Sequence, residues 1–332
     1  MWSHQGPKIL RPGRRERFFI VITTFNRCDY LDDLLASIAS LSPPPDGVIV
    51  VDNASTDGTA AVVEGAQRKL AALPVPVPVI HHELRENVGG AGGFSAGVDR
   101  ALAEGAQWMW LMDDDVTTVP GAIGALGQWM DKYDAIVGRR YDAVGKPFFW
   151  QHRFNDFLGI HLPVAGDVFK GSNEFSTNVG CFEGMLVHAD AVAGAGLPDP
   201  RFFITGDDVI YGWLISQERP VMYVNAFVLH KARAQRSIDL GIRHLNDSSD
   251  LSRFYMMRNR GLVAGYLRTH GKYNPVGFAV GTALTAAKEV FRLLAVEKTL
   301  HGSAKLWRGW RESRRILSDS SWAPMPPLKR GA

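Results

Sequence analysis

The sequence predicts an α/β fold: a mostly parallel sheet with helices on both faces, continued by a helical extension at the C-terminus. Three observations lead there. Short β-branched and aromatic runs alternate with helical periodicities in β-α-β-α-β order, the order in which crossover helices build a parallel sheet. The run Trp108-Met109-Trp110-Leu111-Met112 is apolar throughout, as in a strand covered on both faces, and ends abruptly in Asp113-Asp114-Asp115. From Ser249 onward the pattern turns helical. Ligands of open α/β sheets bind beyond the carboxyl ends of the strands, so the three acids stand where a site is expected.

The chain is long enough to bury a sizeable core in one large or two modest domains. Hydrophobic residues make up 46% of the 332 and charged ones 21%, the composition of an ordinary globular protein. The 37 basic and 34 acidic side chains leave a net charge of +3, too little to argue for nucleic acid, and no nucleic-acid motif accompanies it. The distribution says more. Lys8, Arg11, Arg14, Arg15 and Arg17 precede the first strand, and Lys305, Arg308, Arg311, Arg314 and Arg315 gather near the end. Cys28 and Cys181 lie far apart without metal-like spacing, which suits a reducing compartment. The basic N-terminus leads into a short strand-like run with no secretory apolar segment, and no uninterrupted apolar run reaches the roughly 20 residues of a spanning helix. A soluble or peripheral protein is expected.

Taken in order, residues 1–17 are polar, basic and proline-containing, and predict a mobile or surface-lying arm. Phe18 to Thr23 is the first buried strand. Leu31, Leu34, Leu35, Ile38 and Leu41 recur at helical spacing, predicting a helix from about Asp29 to Leu41 that Pro43-Pro44-Pro45 stops. Val48 to Val51 is the second strand; after Asp52-Asn53-Ala54-Ser55-Thr56-Asp57-Gly58 a helix begins with Thr56 or Asp57 as its cap. The proline-alternating Leu73 to Ile80 reads as a third, edge-like strand. A glycine-rich loop at Asn87 to Gly93 precedes a helix to about Glu104, and Pro120 opens another helix. Residues 139–178 lack a clean period and predict loops or short antiparallel strands lining a cleft; Trp150, His152 and His161, with Glu183 just beyond, are candidate lining residues that plain packing also explains. Val179 to Val187 resembles a strand, and Pro198 to Thr205 a loop with a short strand. Asp207-Asp208 opens a helix through Ser216, and Val221 to His230 supplies one or two more strands.

Three adjacent carboxylates repel one another, and a divalent cation or a run of Arg and Lys offsets that repulsion most readily. Taken alone, the triplet is more simply a solvated turn or a helix cap. The neighbouring strand ends change this. Thr23-Thr24-Phe25-Asn26-Arg27 closes the first strand and Asp52-Asn53 the second, both at the sheet edge of Asp113 to Asp115. A carboxylate such as Asp52 accepts from a base imide or ribose hydroxyl, and Arg27 pairs with phosphate; helix capping by Asn26 or Asp57 is compatible with both. Glu86-Asn87-Val88-Gly89-Gly90-Ala91-Gly92-Gly93-Phe94 puts four glycines ahead of a helix, where backbone approaches an anion closely. It is neither G-x-G-x-x-G after the first strand nor a Gly-Lys-Ser/Thr loop, so a dinucleotide fold and a P-loop are disfavoured.

In this order, Thr-Thr-Phe-Asn-Arg, Val-Val-Asp-Asn-Ala-Ser-Thr-Asp-Gly, Asn-Val-Gly-Gly-Ala-Gly-Gly-Phe, Asp-Asp-Asp and Gly-Asp-Asp-Val-Ile-Tyr-Gly-Trp at 206–213 resemble a family 2 glycosyltransferase of the GT-A fold. The doubled-glycine stretch and the later Asp-Asp-x-x-Tyr-Gly are similar to actinobacterial galactofuranosyltransferases in particular, and the resemblance covers about 18 to 260. It implies that Asp113 and Asp115 form a D-x-D pair holding Mg or Mn, with His230 as a further ligand. It also implies that Thr23, Phe25, Arg27, Asp52, Asn87, Gly89, Gly90, Gly93 and Asp114 surround a nucleotide sugar. Asp208 is then the general base of an inverting transfer and Asp207 orients the acceptor; without the resemblance both would simply serve the positive end of a helix dipole. Ile210 stands where an acid is expected, and Trp213 where Arg or Leu is expected. Tyr255-Met256-Met257-Arg258-Asn259 resembles a Tyr-x-x-Arg-Asn element that follows the catalytic domain in this family, with Arg258 placed to contact pyrophosphate.

The implied organisation is a basic arm at 1–17, a nucleotide-sugar-binding and catalytic domain at 18–235, and a helical region at 236–325. No charge occurs from Pro275 to Ala287, and Trp307, Trp310 and Trp322 are interleaved with arginines. Trp and Arg together suit an anionic membrane interface, while a helix whose apolar face covers the catalytic domain fits as well. The reading is a metal-dependent inverting glycosyltransferase that moves galactofuranose from UDP-galactofuranose to a polyprenyl-diphosphate-linked cell-wall glycan, cytoplasmic and peripheral on the inner face of the plasma membrane. The alternatives are a rhamnosyltransferase using a dTDP sugar and a non-catalytic nucleotide-sugar-binding scaffold.

Overall fold

The computed structural model describes residues 16–148, 150–232, 237–239, 244–246 and 249–328. The apolar runs of the first half become neighbouring strands: β1 (Phe18–Thr24), β2 (Gly47–Asp52), β3 (Val79–Glu83) and β4 (Trp108–Asp113), connected by α1 (Cys28–Ile38), α2 (Thr59–Ala71) and α3 (Gly89–Ala103). β5 (Val116–Thr118), α4 (Ala122–Met130), β6 (Ala135–Tyr141), β7 (Pro147–Phe148), β8 (His152–Asn155), β9 (Ile160–Pro163) and β10 (Glu174–Thr177) follow. Then come β11 (Met185–His188), α5 (Ala189–Ala195), a 3-10 turn at Pro200–Phe202, α6 (Asp207–Ser216), β12 (Val221–Lys231) and the small ladder of β13 (Ser237–Asp239) and β14 (His244–Asn246). The chain closes with α7 (Asp250–Arg258), α8 (Arg260–Thr269), α9 (Pro275–Ala295) and α10 (Ser303–Ser318).

The main sheet has ten strands, in the order β10-β12-β6-β11-β4-β1-β2-β3, with β5 on β12 and β7 on β6. β1, β2, β3, β4, β6 and β12 share one direction; β11 runs against β4 and β6 between them. The continuous apolar runs reflect burial on both faces, and alternation sorts them. Phe18, Ile20 and Ile22 of β1 pack with α1, α2 and α4, whereas Phe19 and Val21 pack with α3, α5 and α6. Each fully buried Ile, Leu or Phe of this kind contributes about 1.5–3 kcal/mol. A third cluster, built on Phe154, Phe202, Trp213, Tyr266 and Phe278, welds the β8–β9 hairpin to α6, α8 and α9.

Several expectations shift. Residues 1–15 of the N-terminal arm lie outside the described residues, but Glu16 and Arg17 are docked: Glu16 accepts from the Trp108 indole at 2.6 Å, the Arg17 carbonyl accepts from the Gln107 and Trp108 N–H groups, and the Arg17 N–H donates to Gln107 Oε1. The third strand is Val79–Glu83, because the prolines at 74, 76 and 78 cannot donate to a ladder. The α1 helix ends at Ile38, and neither Asn26 nor Thr56 caps a helix: Asn26 accepts from the Thr56 N–H and ties two loops together. Asp57 accepts from the Thr59 and Cys28 N–H groups, so it serves the starts of α1 and α2 together. The glycine stretch is not a loop before a helix; α3 begins at Gly89 and the glycines form its first turns. The expected strand at 179–187 is shorter and shifted, at Met185–His188. In the C-terminal region α10 packs on α7 and α8, with Trp310 against Met257 and Leu306, and Trp322 edge-on to Tyr266; Trp307 alone of the three tryptophans stays well exposed.

Candidate active site

The parallel register brings three strand ends into one row. Thr23 lies beside Asp113 and Thr24 beside Asp52, so β2, β1 and β4 deliver their last residues to the same edge. Asp114 turns inward: its carboxylate accepts from Thr24 Oγ1 at 2.8 Å and from Arg27 Nη1 at 3.0 Å, and Arg27 also reaches Asp115 at 3.5 Å. Buried Asp52 accepts from the Ser55 N–H at 2.8 Å and faces His81 at 3.3 Å. Thr23 Oγ1 and Asn53 Oδ1 are buried in this row without a hydrogen-bond partner, two polar atoms placed for a ligand to satisfy. A Cβ at Gly93 would come within 2.3 Å of the Thr23 side chain, so α3 lies against the row only because that residue is glycine. Gly90 sits open beside it, and Asn87 closes the turn by accepting from the Gly89 N–H at 2.8 Å. Phe25 is exposed at the rim.

The second pair of acids arrives from the other side. Asp207 and Asp208 open α6, where unpaired N–H groups and the helix dipole favour negative charge. The helix reaches the sheet through two glycines. A Cβ at Gly212 would fall 1.8 Å from the Gly180 nitrogen, and one at Gly180 would fall 2.6 Å from the Asp208 carbonyl oxygen. That contact sets the start of α6 directly against residues 180–183, which carry Cys181 and Glu183. Trp213, one of the two residues unlike the family pattern, is fully buried and donates to Asp156 of the β8–β9 turn at 2.8 Å.

Between the two acid groups lies a cationic bridge. Buried Arg140 on β6 donates to Cys181 Sγ and the Glu183 carbonyl and pairs with the Glu183 carboxylate at 2.9 Å, while Lys231 of β12 holds the other Glu183 oxygen at 2.5 Å. Phe148 lies under both cations, 5.2 Å from each. The charges of this region act on one another. Burial, then Asp115, Glu183 and Asp114, hold Asp113 protonated well above the usual carboxylate range, with Lys231 opposing. Burial likewise raises Asp114, against Arg27 and Thr24. Asp208 is pushed up to about 8 by burial and then by Asp207, against the Val209 N–H and Arg140. Both acids of α6 keep part of their surface open, so they are reachable while poorly solvated.

Of the expected site residues, Thr23, Arg27, Asp52 and Asp113 to Asp115 form one cluster, to which the structure adds Thr24; Asp208, with Asp207 beside it, joins the cluster through Arg140 and Glu183. His230 does not: it pairs with Thr117 in the β5–β12 ladder and stacks on Tyr141 at 4.6 Å. As the side chains stand, no three His, Cys, Asp or Glu among the described residues converge as a metal-holding group. Arg258 is engaged with the loop before α6, donating to the Arg201 carbonyl and to Asn259. Arg140 and Lys231 escaped sequence reasoning, although each is a charge following an apolar strand run, the signal that singled out Asp113.

Known proteins agree with this architecture. A model of glycosyl transferase family 2 matches residues 19–190. Galactofuranosyltransferase GlfT1 of Mycobacterium tuberculosis is 32% identical over 263 residues, 75% of this chain and 82% of that protein. The GlfT1 of Mycolicibacterium smegmatis is 30% identical over 255 residues, 73% and 81% of the two chains. Among solved structures, S. aureus TarS 1-349 superposes with a TM-score of 0.55 at 11% identity, over 91% of this chain and 81% of that one. GalNAc-T7, solved with UDP, GalNAc and Mn2+, gives 0.52 at 11% identity over 85% and 58%. On its motifs, its fold and these relatives, the chain belongs to glycosyl transferase family 2.

Proposed function

We propose that this glycosyltransferase moves galactofuranose from UDP-galactofuranose to a polyprenyl-diphosphate-linked glycan, with inversion at the anomeric carbon. One observation carries the mechanism: Asp208, a poorly solvated carboxylate, shares a charge network through Arg140 and Glu183 with the strand-end acids Asp113 to Asp115. In this reading Thr23, Asp52 and Asn53 hold the nucleoside, with Phe25 at the rim, and Asn87, Gly89, Gly90 and Gly93 admit the donor beside α3. Asp207 orients the acceptor. Asp208 takes the proton from the acceptor hydroxyl as its oxygen attacks the anomeric carbon; the bond to the diphosphate breaks on the opposite face, and its electrons leave with UDP. Raised proton affinity suits the role, because a base whose pKa lies near working pH accepts a proton readily.

The acids fit a divalent cation. Asp113 is crowded by Asp114, Asp115 and Glu183, with Lys231 and Arg27 opposing, and hard carboxylate oxygens suit Mg or Mn. Asp113 and Asp115 would hold it, with His230 completing the set only after its ring leaves Tyr141. Such an ion would offset the charge that develops on the leaving diphosphate.

The lipid-linked acceptor belongs with a membrane-facing surface. No helix among the described residues is long and apolar enough to cross a membrane. Yet α9 exposes Val276, Val280, Leu284, Phe291 and Leu294 at helical spacing, with Trp307 beyond them. Exposed Lys272 stands before this stripe, and Lys298, Lys305 and Arg308 after it. Apolar side chains rimmed by cations suit an anionic leaflet. Val280→Asp with Phe291→Asp is expected to lower flotation with phosphatidylglycerol vesicles by at least tenfold; unchanged flotation removes this part of the reading.

Radiolabelled transfer decides the donor. With a synthetic polyprenyl-diphosphate acceptor and Mg or Mn, product is expected from UDP-galactofuranose and not from dTDP-rhamnose; the reverse establishes a rhamnosyltransferase, and no product from either a binding scaffold.

A further inference from the structure

Two of the five residues before the acid pair, Phe203 and Thr205, are strained. Phe203, Thr205 and Gly206 all have left-handed φ, at 63°, 74° and 86°. For a β-branched threonine and a phenylalanine this conformation is unfavourable, and it persists only where surroundings over-determine it. Those surroundings come from the junction of α7 and α8. The Asn259 amide, 3% exposed, donates to the carbonyls of Phe202, Ile204 and Thr205 at 2.9, 3.0 and 2.9 Å, three acceptors sharing two N–H groups. Arg258 donates to the Arg201 carbonyl, and the Tyr255 ring stacks on Phe203 at 4.8 Å and 15°. The opposite flank of the loop rests on α3: the Ala91 N–H donates to the Phe203 carbonyl at 3.1 Å, which approaches so closely that a Cβ at Gly89 would meet it at 2.2 Å.

We propose that Tyr255, Arg258 and Asn259 form a positioning element, with Asn259 at its centre, that holds residues 201–206 in their strained form and thereby aims the Asp208 carboxylate. Arg258 and Asn259 hold the loop by its carbonyls, and Tyr255 holds it by the Phe203 ring. The element acts through the backbone that leads into α6, and it couples the glycine turn of α3 to the acid that faces the acceptor. The inference rests on Asp208 being the base.

A double-mutant cycle tests it. Asn259→Ala is expected to lower kcat by about 10²-fold, the cost of a misplacement of about 1 Å at a reacting centre. The Kd for UDP and the melting temperature should change little by comparison, and Asn259→Gln, which keeps the donors, should recover part of kcat. Against Asp208→Asn, the second change should cost almost nothing further. Full additivity of Asn259→Ala and Asp208→Asn, or a kcat loss that follows the folded fraction, overturns the positioning role and leaves the base in place. Normal turnover by Asp208→Asn alone overturns the base instead. Should Asn259→Ala not fold, Gly206→Ala reads the same effect: no atom lies within 4 Å of its Cβ, so that change only strains the loop backbone. Gly206→Ala with unchanged kcat overturns the proposal.

Discussion

The two acid groups of the site are held in different ways. Asp113 to Asp115 end a buried strand whose neighbours on both sides fix its register, and Asp114 is pinned by Thr24 at the end of the next strand and by Arg27 at the start of α1. Asp207 and Asp208 open a helix that follows a left-handed loop, gripped by side chains from far along the chain. A strand-end site inherits the stiffness of the sheet. A site at the end of a strained loop is only as stiff as its clamps, and can be adjusted through them.

Paired substitutions test the division of roles most severely. Asp208→Asn is expected to reduce turnover by about 10²–10⁴-fold while UDP binding by calorimetry stays near wild type, as for loss of a general base. Asp113→Asn should weaken UDP binding and raise the Mn or Mg concentration needed for half activity, with a smaller loss of turnover at saturating donor and metal. Equal losses of donor binding in the two variants would break the comparison.

A smaller effect concerns stability against pH. Asp208 holds its proton more tightly in the folded chain than in the unfolded one, so between the ordinary carboxylate range and about 8 the folded protein binds more protons. The stability this lends is fully present below the unfolded pKa and is lost as pH rises through about 8. Asp208→Asn, permanently neutral, should therefore melt higher than wild type at pH 8 by a few degrees, roughly 2–4 °C per kcal/mol, and equally at pH 4. A variant that melts lower at pH 8 than at pH 4, relative to wild type, contradicts a poorly solvated Asp208.

The strand-end group was legible because its information is local. A β-branched run that stops at a carboxylate marks both a strand and the edge where it ends, so Thr23, Asp52 and Asp113 could be placed together from order alone. Asp207 and Asp208 were singled out by motif, and their helix was marked by its pattern. Glu183, the partner of Arg140, was harder to place for a topological reason. β11 runs against its neighbours, so it presents the residues before it to the carboxyl edge of β4, where a parallel strand presents those after it. The grip of Asn259 on residues 202–205 spans more than fifty positions and leaves no periodicity. His230 illustrates the opposite case: an expected ligand whose ring is taken up by Tyr141, a contact its own strand does not foreshadow.

The close seat of α10 on α7 and α8 bears on how this enzyme can be handled. Gly261 and Gly265 of α8 have no room for a side chain because Ser313 and Trp322 lie on them, and Gly309 of α10 rests on the Phe254 carbonyl. Trimming the C-terminus to shed an adhesive tail would strip the backing from the helices that carry Tyr255, Arg258 and Asn259. A better-behaved protein for crystallisation is to be sought by replacing single outward side chains of α9, with the chain kept whole through Trp322.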